Sequence, residues 1–358
     1  MRLHEHDSGG RRSPERGREF GRVWASRIHT AIAAYRRHYL QLGIDPDTCA
    51  AVSEKSCQAL FAWHPALGEE LESIAGGAGI TVAELGLLNS RTEILAAAPP
   101  KGDGECSTVA RARADGPPVA FQTWDWHPHL VPDAALWRYS PAPGRWVKTF
   151  TEPGMLAKIG LNSAGLGVNF NLLHHRADGA GDGVPVHAIA RRILDEAGTV
   201  REAVDLARSA TVSASTAITV TALAPVAEAV SIELTPAGTV AIPARADGWL
   251  IRTNHLLSPS LRDGDVRHPT STTLLRYAHL DKALPAGEAA GGLPELAGRL
   301  CGEAGDEAPI CMREDLRLPE PARRRTMLTV RLDHAGGFME YWPGTPADVA
   351  EEGHARRF

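Results

Sequence analysis

The sequence predicts an α+β sandwich with sheets at its centre, and three observations predict it. Apolar residues recur at helical spacing through most of the first hundred residues. From Cys106 onward, short strand-like stretches bounded by Gly, Pro, Asn and Asp take over. A pair of amphipathic helices then interrupts the strands at 186–208. The chain has 358 residues, 43% hydrophobic and 23% charged, enough to bury a large core. A formal net charge of −5 gives no electrostatic reason to expect nucleic acid or an anionic membrane as partner. No apolar run approaches the roughly 18 residues of a membrane span. The polar start MRLHEHDSGGRRSPERGRE has no apolar core behind its charges, unlike a signal peptide, so a cytoplasmic location is expected.

Taken in order, residues 1–16 are charged and aperiodic and are expected to form a disordered tail. Phe20, Trp24, Ile28, Ile32, Tyr35, Tyr39 and Leu42 mark one face of a helix over 20–42. A second helix is expected over 65–74, stopped by Gly76-Gly77. Thr81-Val-Ala-Glu84 is a capping box that opens a third, running through Leu88. Strands follow at 106–113 and 119–125, joined by a turn at 114–117, and at 155–161 and 167–172, joined through Asn162-Ser-Ala-Gly165. Helices at 186–196 and 200–208, the latter capped by Thr199, precede strands at 217–223, 229–234 and 249–254. A last hairpin runs 326–332, turns at His334-Ala-Gly-Gly337 and returns over 338–342. The Gly/Ala/Pro-rich segment 282–309 reads as a surface excursion around a short helix. There are no internal repeats, and residues 17–345 read as one domain.

Five scattered cysteines, Cys49, Cys57, Cys106, Cys301 and Cys311, argue against a disulfide framework in a chain without a secretion signal. There is no CxxC. The two tight histidine groupings, His127-Pro-His129 and His174-His175, lack the spacing that sets two imidazoles on one helical face. No metal or cofactor is expected.

The stretch GDGECSTVARAR, residues 102–113, places Cys106 at the start of a strand directly after a glycine-rich turn. A lone cysteine there is open to a bland reading as a small buried hydrophobe. The motifs around it, in order, are GECSTVA, FQTWDWHP, GLNSAGLGVNFNLL, WLIRTNHLL and STTLLRY, preceded by Gly17-Arg-Glu-Phe-Gly21. In this order, over about residues 17–345, the sequence resembles the peptidase C45 family. These are the cysteine N-terminal-nucleophile hydrolases related to isopenicillin N acyltransferase and, more distantly, to bile salt hydrolases. The resemblance implies a four-layer αββα sandwich. It also implies a precursor in which the Cys106 sulfur attacks the carbonyl of Glu105 and cuts the chain into an α chain, 1–105, and an associated β chain, 106–358. The glycine-rich turn would store the local strain that attack needs. The freed α-amine, with a reference pKa of about 7.7–8.0, would then be the base for its own thiol.

By the same resemblance, Asp125 orients the nucleophile's amine; the competing reading is a carboxylate that caps a turn. Asn162 at a hairpin tip donates to an oxyanion, or merely shapes its turn. Asn254 bonds the amine or the acyl group, or simply ends a strand. Arg276 favours the thiolate, or is a surface arginine. The sequence departs from the relatives in three places. Gln122 stands where bile salt hydrolases have arginine. Cys311-Met312-Arg313 replaces a Cys-Arg pair, and Glu105-Cys106 replaces a Gly-Cys cleavage site. These changes bear on the substrate and leave the nucleophile in place. Strand alternation puts Trp124 and Trp126 on the face opposite Asp125, and Trp137 and Trp146 in the segment 130–154 are expected to wall a pocket. The implied substrate is a small-molecule amide or short peptide. The implied activity is an amidohydrolase, with an acyltransferase as the alternative; a non-catalytic binding module on the same fold is the third reading.

Overall fold

The computed structural model describes residues 1–98, 105–113, 116–179, 181–284 and 291–358. In chain order they form strand β1 (Arg2–Asp7) and helices α1 (Ser13–Gln41), α2 (Pro46–Trp63), α3 (Pro65–Ala78), α4 (Val82–Asn89) and α5 (Arg91–Leu95). Six strands follow: β2 (Glu105–Arg113), β3 (Gly116–Trp126), β4 (Asp133–Tyr139), β5 (Val147–Thr151), β6 (Ile159–Asn162) and β7 (Leu166–Leu172). Next come helices α6 (Val186–Glu196) and α7 (Val200–Arg208), then β8 (Thr216–Ala222), β9 (Glu228–Thr235), β10 (Gly238–Pro243) and β11 (Trp249–Arg252). The chain ends with α8 (Thr273–Ala283), α9 (Leu293–Cys301), β12 (Arg325–Asp333), β13 (Phe338–Trp342), α10 (Pro346–Glu352) and β14 (Arg356–Arg357).

The strands make two sheets, ordered β1-β4-β5-β6-β7-β8-β9-β10 and β11-β2-β3-β12-β13-β14. The sheets face each other through β2, β3, β7, β8 and β9. Helices α6 and α7 cover the outside of the first sheet and α8 the outside of the second. This is the four-layer αββα sandwich. Its largest core joins the first helices, both sheets and α6; a second lies between the second sheet and α8–α10.

Local chemistry explains the helices that periodicity predicts. Thr81 and Thr199 each accept from the backbone N–H three residues on, and Glu84 and Glu202 return the bond, as capping boxes do. Helices α1 and α3 cross with their backbones in contact. A Cβ on Gly21 would lie 2.0 Å from the carbonyl oxygen of Ile74, and one on Gly77 2.2 Å from that of Arg18. The Gly17/Gly21 pair therefore makes room for a close crossing.

Several expectations are corrected. Residues 1–16 are ordered: β1 pairs in parallel with β4, tied by Arg2 and His4 to Asp133, and α1 already starts at Ser13. Helix α2 was not expected, although Asp45 caps it by accepting from Thr48 and Pro46 stands in its first turn. The segment 130–154 forms two strands, β4 and β5; its Leu130, Pro132 and Pro153 line a surface cavity that does not include Cys106, while Trp137 lines none of the cavities described. Trp137 stacks on Phe20, ring centroids 4.1 Å apart, on the helical side of the first sheet. The strand expected over 155–161 begins only at Ile159. Within 282–309 the described residues 291–309 are no surface excursion, because Leu293, Leu296 and Leu300 of α9 are buried in the second core. The glycine-rich turn before Glu105 and part of the 114–117 turn lie outside the described residues.

Candidate active site

β2 and β3 pair so that Cys106 lies opposite Trp124 and Glu105 opposite Asp125. Directly opposed residues share a face, and alternate residues take the other. Cys106, Trp124 and Trp126 therefore face the first sheet. Glu105, Ser107 and Asp125 face α8 and the second core. The sulfur and the Asp125 carboxylate leave opposite sides of one sheet.

The backbone of Cys106 is gripped at both ends by side chains from distant segments. Its N–H donates to Asn254 Oδ1 at 2.9 Å. Its carbonyl accepts from Arg276 Nη1 at 2.7 Å and from Asn171 Nδ2 at 3.0 Å. Arg276 also donates to Ser107 Oγ and to Asn254 Oδ1, both at 2.9 Å. Asn254, just past β11, donates in turn to the Leu172 carbonyl at 2.8 Å. Arg276 and Asn171 are fully buried, so each of these bonds replaces solvation that the groups have lost.

Helix α8 builds its share of the site from successive polar residues. Ser271 Oγ and the Thr272 N–H donate to Glu105 Oε1, at 2.9 and 3.1 Å, and Thr272 Oγ1 donates to Oε2 at 2.5 Å. Thr273 Oγ1 accepts from the Asn254 N–H at 2.8 Å. Burial works to raise the Glu105 pKa, but Arg276, 3.4 Å away, and these hydroxyls bring it below the usual carboxylate range. The residue before Cys106 is thus held by its side chain as a carboxylate.

Asp125 is fully buried. Its Oδ1 accepts from Thr326 Oγ1 at 2.7 Å, and its Oδ2 finds no hydrogen-bond partner among the described residues. Burial pushes its pKa up to about 7, against the pull of Arg276. Burial and the Asp125 charge push the Cys106 thiol up to about 12, with Lys158 and Arg276 pulling the other way. In the uncut chain, then, the thiol is a poor thiolate. Arg276 contributes to lowering its pKa without deciding the outcome.

The sulfur opens onto a small cavity of about 10 Å³, the space of a single water. Trp124, Trp126 and Lys158 line it with Phe170 and Leu172 of β7 and Arg91, Thr92 and Leu95 of α5. The two tryptophans flanking Asp125 thus serve this cavity. Gln122, where the resemblance to bile salt hydrolases implied an arginine, is not directed at the sulfur. It donates to the Phe170 carbonyl at 2.6 Å and accepts from Asn169 Nδ2 at 3.0 Å, stitching the two sheets together.

Asn162 is the one candidate that the structure takes away from the site. Its Nδ2 donates to the Leu194 and Ala197 carbonyls at 2.9 and 2.7 Å, and its Oδ1 accepts from the Ala164 and Leu166 N–H groups. Its amide is spent closing its own turn against the C-terminal end of α6, and no donor is left for an oxyanion. The asparagine at Cys106 is Asn171, in the same GLNSAGLGVNFNLL stretch but about 16 Å along β7 from its start at Leu166, at roughly 3.3 Å per strand residue. The signal for it was a polar residue inside a strand with both faces buried. Lys158 and the 271–273 hydroxyls also escaped the sequence reading.

The family model of acyl-coenzyme A:6-aminopenicillanic acid acyl-transferase matches residues 112–345. The chain is 26% identical over 272 residues to the 40 kDa form of acyl-coenzyme A:6-aminopenicillanic-acid-acyltransferase from Emericella nidulans, covering 76% of this chain and 73% of that protein. Among solved structures, penicillin V acylase from Agrobacterium tumefaciens aligns with a TM-score of 0.43 and 14% identity, covering 66% of this chain and 83% of that one.

Proposed function

The chain belongs to the acyl-coenzyme A:6-aminopenicillanic acid acyl-transferase family, and from that premise we propose that it is a self-processed cysteine N-terminal-nucleophile enzyme. It breaks the amide bond of a small peptide or acyl-amide through a Cys106 acyl-enzyme. The observation that carries this reading is the grip on Cys106. Asn254 already accepts from the nitrogen that scission would turn into an α-amine. Arg276 and Asn171 fix the carbonyl on the other side. A merely structural cysteine has no need of three buried polar side chains on its own peptide units.

Maturation begins with attack of Sγ on the Glu105 carbonyl carbon. The C–N bond is replaced by a thioester as the thiol proton passes to the departing nitrogen, which frees the Cys106 α-amine; water then splits the thioester into the Glu105 α-carboxylate and the Cys106 thiol. The Glu105 side chain is held by Ser271, Thr272 and Arg276, so the scissile carbonyl is pinned on its acyl side as well. The new amine, with a reference pKa near 8, serves as base for the sulfur. Asn254 Oδ1 orients it. The buried Asp125, with one oxygen unpartnered among the described residues, stabilises its protonated form. In turnover the same thiol takes the acyl group of the substrate, seated in the tryptophan-lined cavity once that cavity widens.

Deacylation by water makes the enzyme an amidohydrolase; deacylation by an amine makes it an acyltransferase. The second reading is favoured by the name of the Emericella nidulans relative. Incubating purified protein with amide substrates, and separately with an acyl-CoA donor and a panel of amine acceptors, separates the two. Free acid as the main product in the presence of acceptor supports hydrolysis; acylated amine supports transfer. Neither product, with Cys106 intact and processed, would contradict both.

A further inference from the structure

In the uncut chain the α-amine that later serves as base does not yet exist, and Cys106 N is an amide engaged with Asn254. Asp125 lies on the opposite face of the sheet from the sulfur. Lys158 and Arg91 line the same water-sized cavity as Cys106, and the Lys158 charge acts on the thiol, pulling its pKa down. Lys158 is buried, and its Nζ sits 3.7 Å from the Trp124 ring centroid. It donates to Glu152 Oε1 at 2.5 Å.

The groups around Lys158 come from every neighbouring element. Arg91 of α5 donates to Glu152 Oε1 at 2.5 Å, and the Tyr35 hydroxyl of α1 donates to Oε2 at 2.7 Å. His187 of α6 lies 3.4 Å from Arg91 Nη2, and burial holds it neutral. Burial raises the Tyr35 pKa, so it too is uncharged. Glu93 of α5 is also buried near Arg91, and burial pushes its pKa up to about 7, so it is only partly ionised. The cluster therefore sets two cations against Glu152 and a part-charged Glu93. A buried excess of positive charge is costly unless an anion meets it or a proton leaves. Arginine keeps its proton in proteins, so Lys158 is the group that can lose one. The anion available across the cavity is the Cys106 thiolate.

We propose that Lys158 is the proton acceptor and counter-ion of the Cys106 thiol, held in place by Glu152, Arg91 and Tyr35. The proton passes from Sγ to the neutral Nζ as the sulfur attacks, and the electron pair of the S–H bond stays on sulfur; with the thiol pushed up to about 12 and the amine down to about 7, the thiolate–ammonium pair is a transient minor species rather than the resting state. Burial and the neighbouring Arg91 bring the Lys158 pKa down to about 7, against Glu152, so a neutral amine is well populated near neutrality. Glu152 stays ionised, brought down to about 2 by Arg91 and Lys158 against its burial. This inference rests on Cys106 being the nucleophile. It gives the maturation step a base, and it makes two residues of the preceding segment, Tyr35 and Arg91, part of the tuning of the sulfur.

The test is the pH profile of Cys106 alkylation by iodoacetamide in the uncut fraction, resolved from the cut chains by mass spectrometry, together with the self-scission rate. Wild type, Lys158→Gln, Lys158→Arg and Glu152→Gln are compared. Lys158→Gln should move the alkylation midpoint up by about one pH unit or more and slow alkylation at pH 7 about tenfold. Lys158→Arg should leave the alkylation midpoint at or below that of wild type, since the charge remains, yet slow scission, since a guanidinium takes no proton. Glu152→Gln removes the anion that competes for Lys158 and should move the midpoint down. It decides the matter if Lys158→Gln fails to fold: an unchanged or raised midpoint then overturns the proposal. So does a wild-type profile and scission rate in both lysine variants. A Cys106→Ala control keeps the premise separate, because scission or activity that persists there refutes the nucleophile itself.

Discussion

Cys106 is held by residues 65 to 170 positions away in sequence, and the chemistry of that hold sets what each substitution does. Arg276 reaches four acceptors with one planar fork; an ammonium on a flexible stem cannot span them. Arg276→Lys should lower self-scission and turnover roughly 10- to 100-fold, the effect of losing one or two charged hydrogen bonds, as read by a time course of intact mass. Asn162→Ala should instead leave the chemistry intact and cost about 1–3 kcal/mol of stability, because its amide closes a turn away from the sulfur. The Asp125 carboxyl has a folded pKa of about 7, raised above its unfolded value. Its ionisation therefore opposes folding. Stability is fully present below about pH 4 and is lost as pH rises toward 7, at roughly 1.4 kcal/mol per pH unit of that window. In a Cys106→Ala background, which keeps the chain whole, Asp125→Asn should stabilise more at pH 8 than at pH 5 in urea melts. An equal effect at both pH values would contradict the buried-carboxyl account.

The elements divide by how local their causes are. α4, α6 and α7 were legible because caps and periodicity act within a few residues, and the β2–β3 hairpin because its strands are apolar and its turn is short. α8 was not legible, since the face it turns inward is polar: Thr273 and Arg276 are buried and serve Cys106 rather than a hydrophobic stripe. β1 was missed because RLHEHD carries no apolar alternation, and its place is fixed by Asp133 far along the chain. Of the candidate site, the nucleophile and the residues whose motifs surround it could be read. Asn162 was preferred to Asn171 because a hairpin tip and a mid-strand position differ only once the strands are paired. The close crossing of α1 and α3 gives an element-level prediction. Gly21→Ala drives a methyl onto the Ile74 carbonyl and should cost about 1–3 kcal/mol in chemical denaturation, with the site geometry and any scission otherwise retained.

At the scale of the whole molecule, residues 1–105 are built into the same body as the rest. β1 adds a strand to the first sheet, α1 packs Phe20 on Trp137, and two buried ionic networks cross the boundary. One joins Arg91 and Tyr35 to Glu152; the other joins Arg16 and Glu70 to Arg191. Arg191→Ala strips Glu70 of one of its two buried cations and should cost about 3–5 kcal/mol, as read in urea melts. Cutting one peptide bond leaves all these contacts, so the two pieces should co-elute in native buffer and part only in denaturant. The central claim is that Cys106 acts as an N-terminal nucleophile, and intact-mass analysis of freshly purified protein tests it most directly. The account predicts two species, residues 1–105 and 106–358, in wild type, and one species in Cys106→Ala. A single uncut chain that is stable for days and yet turns over an amide would contradict it.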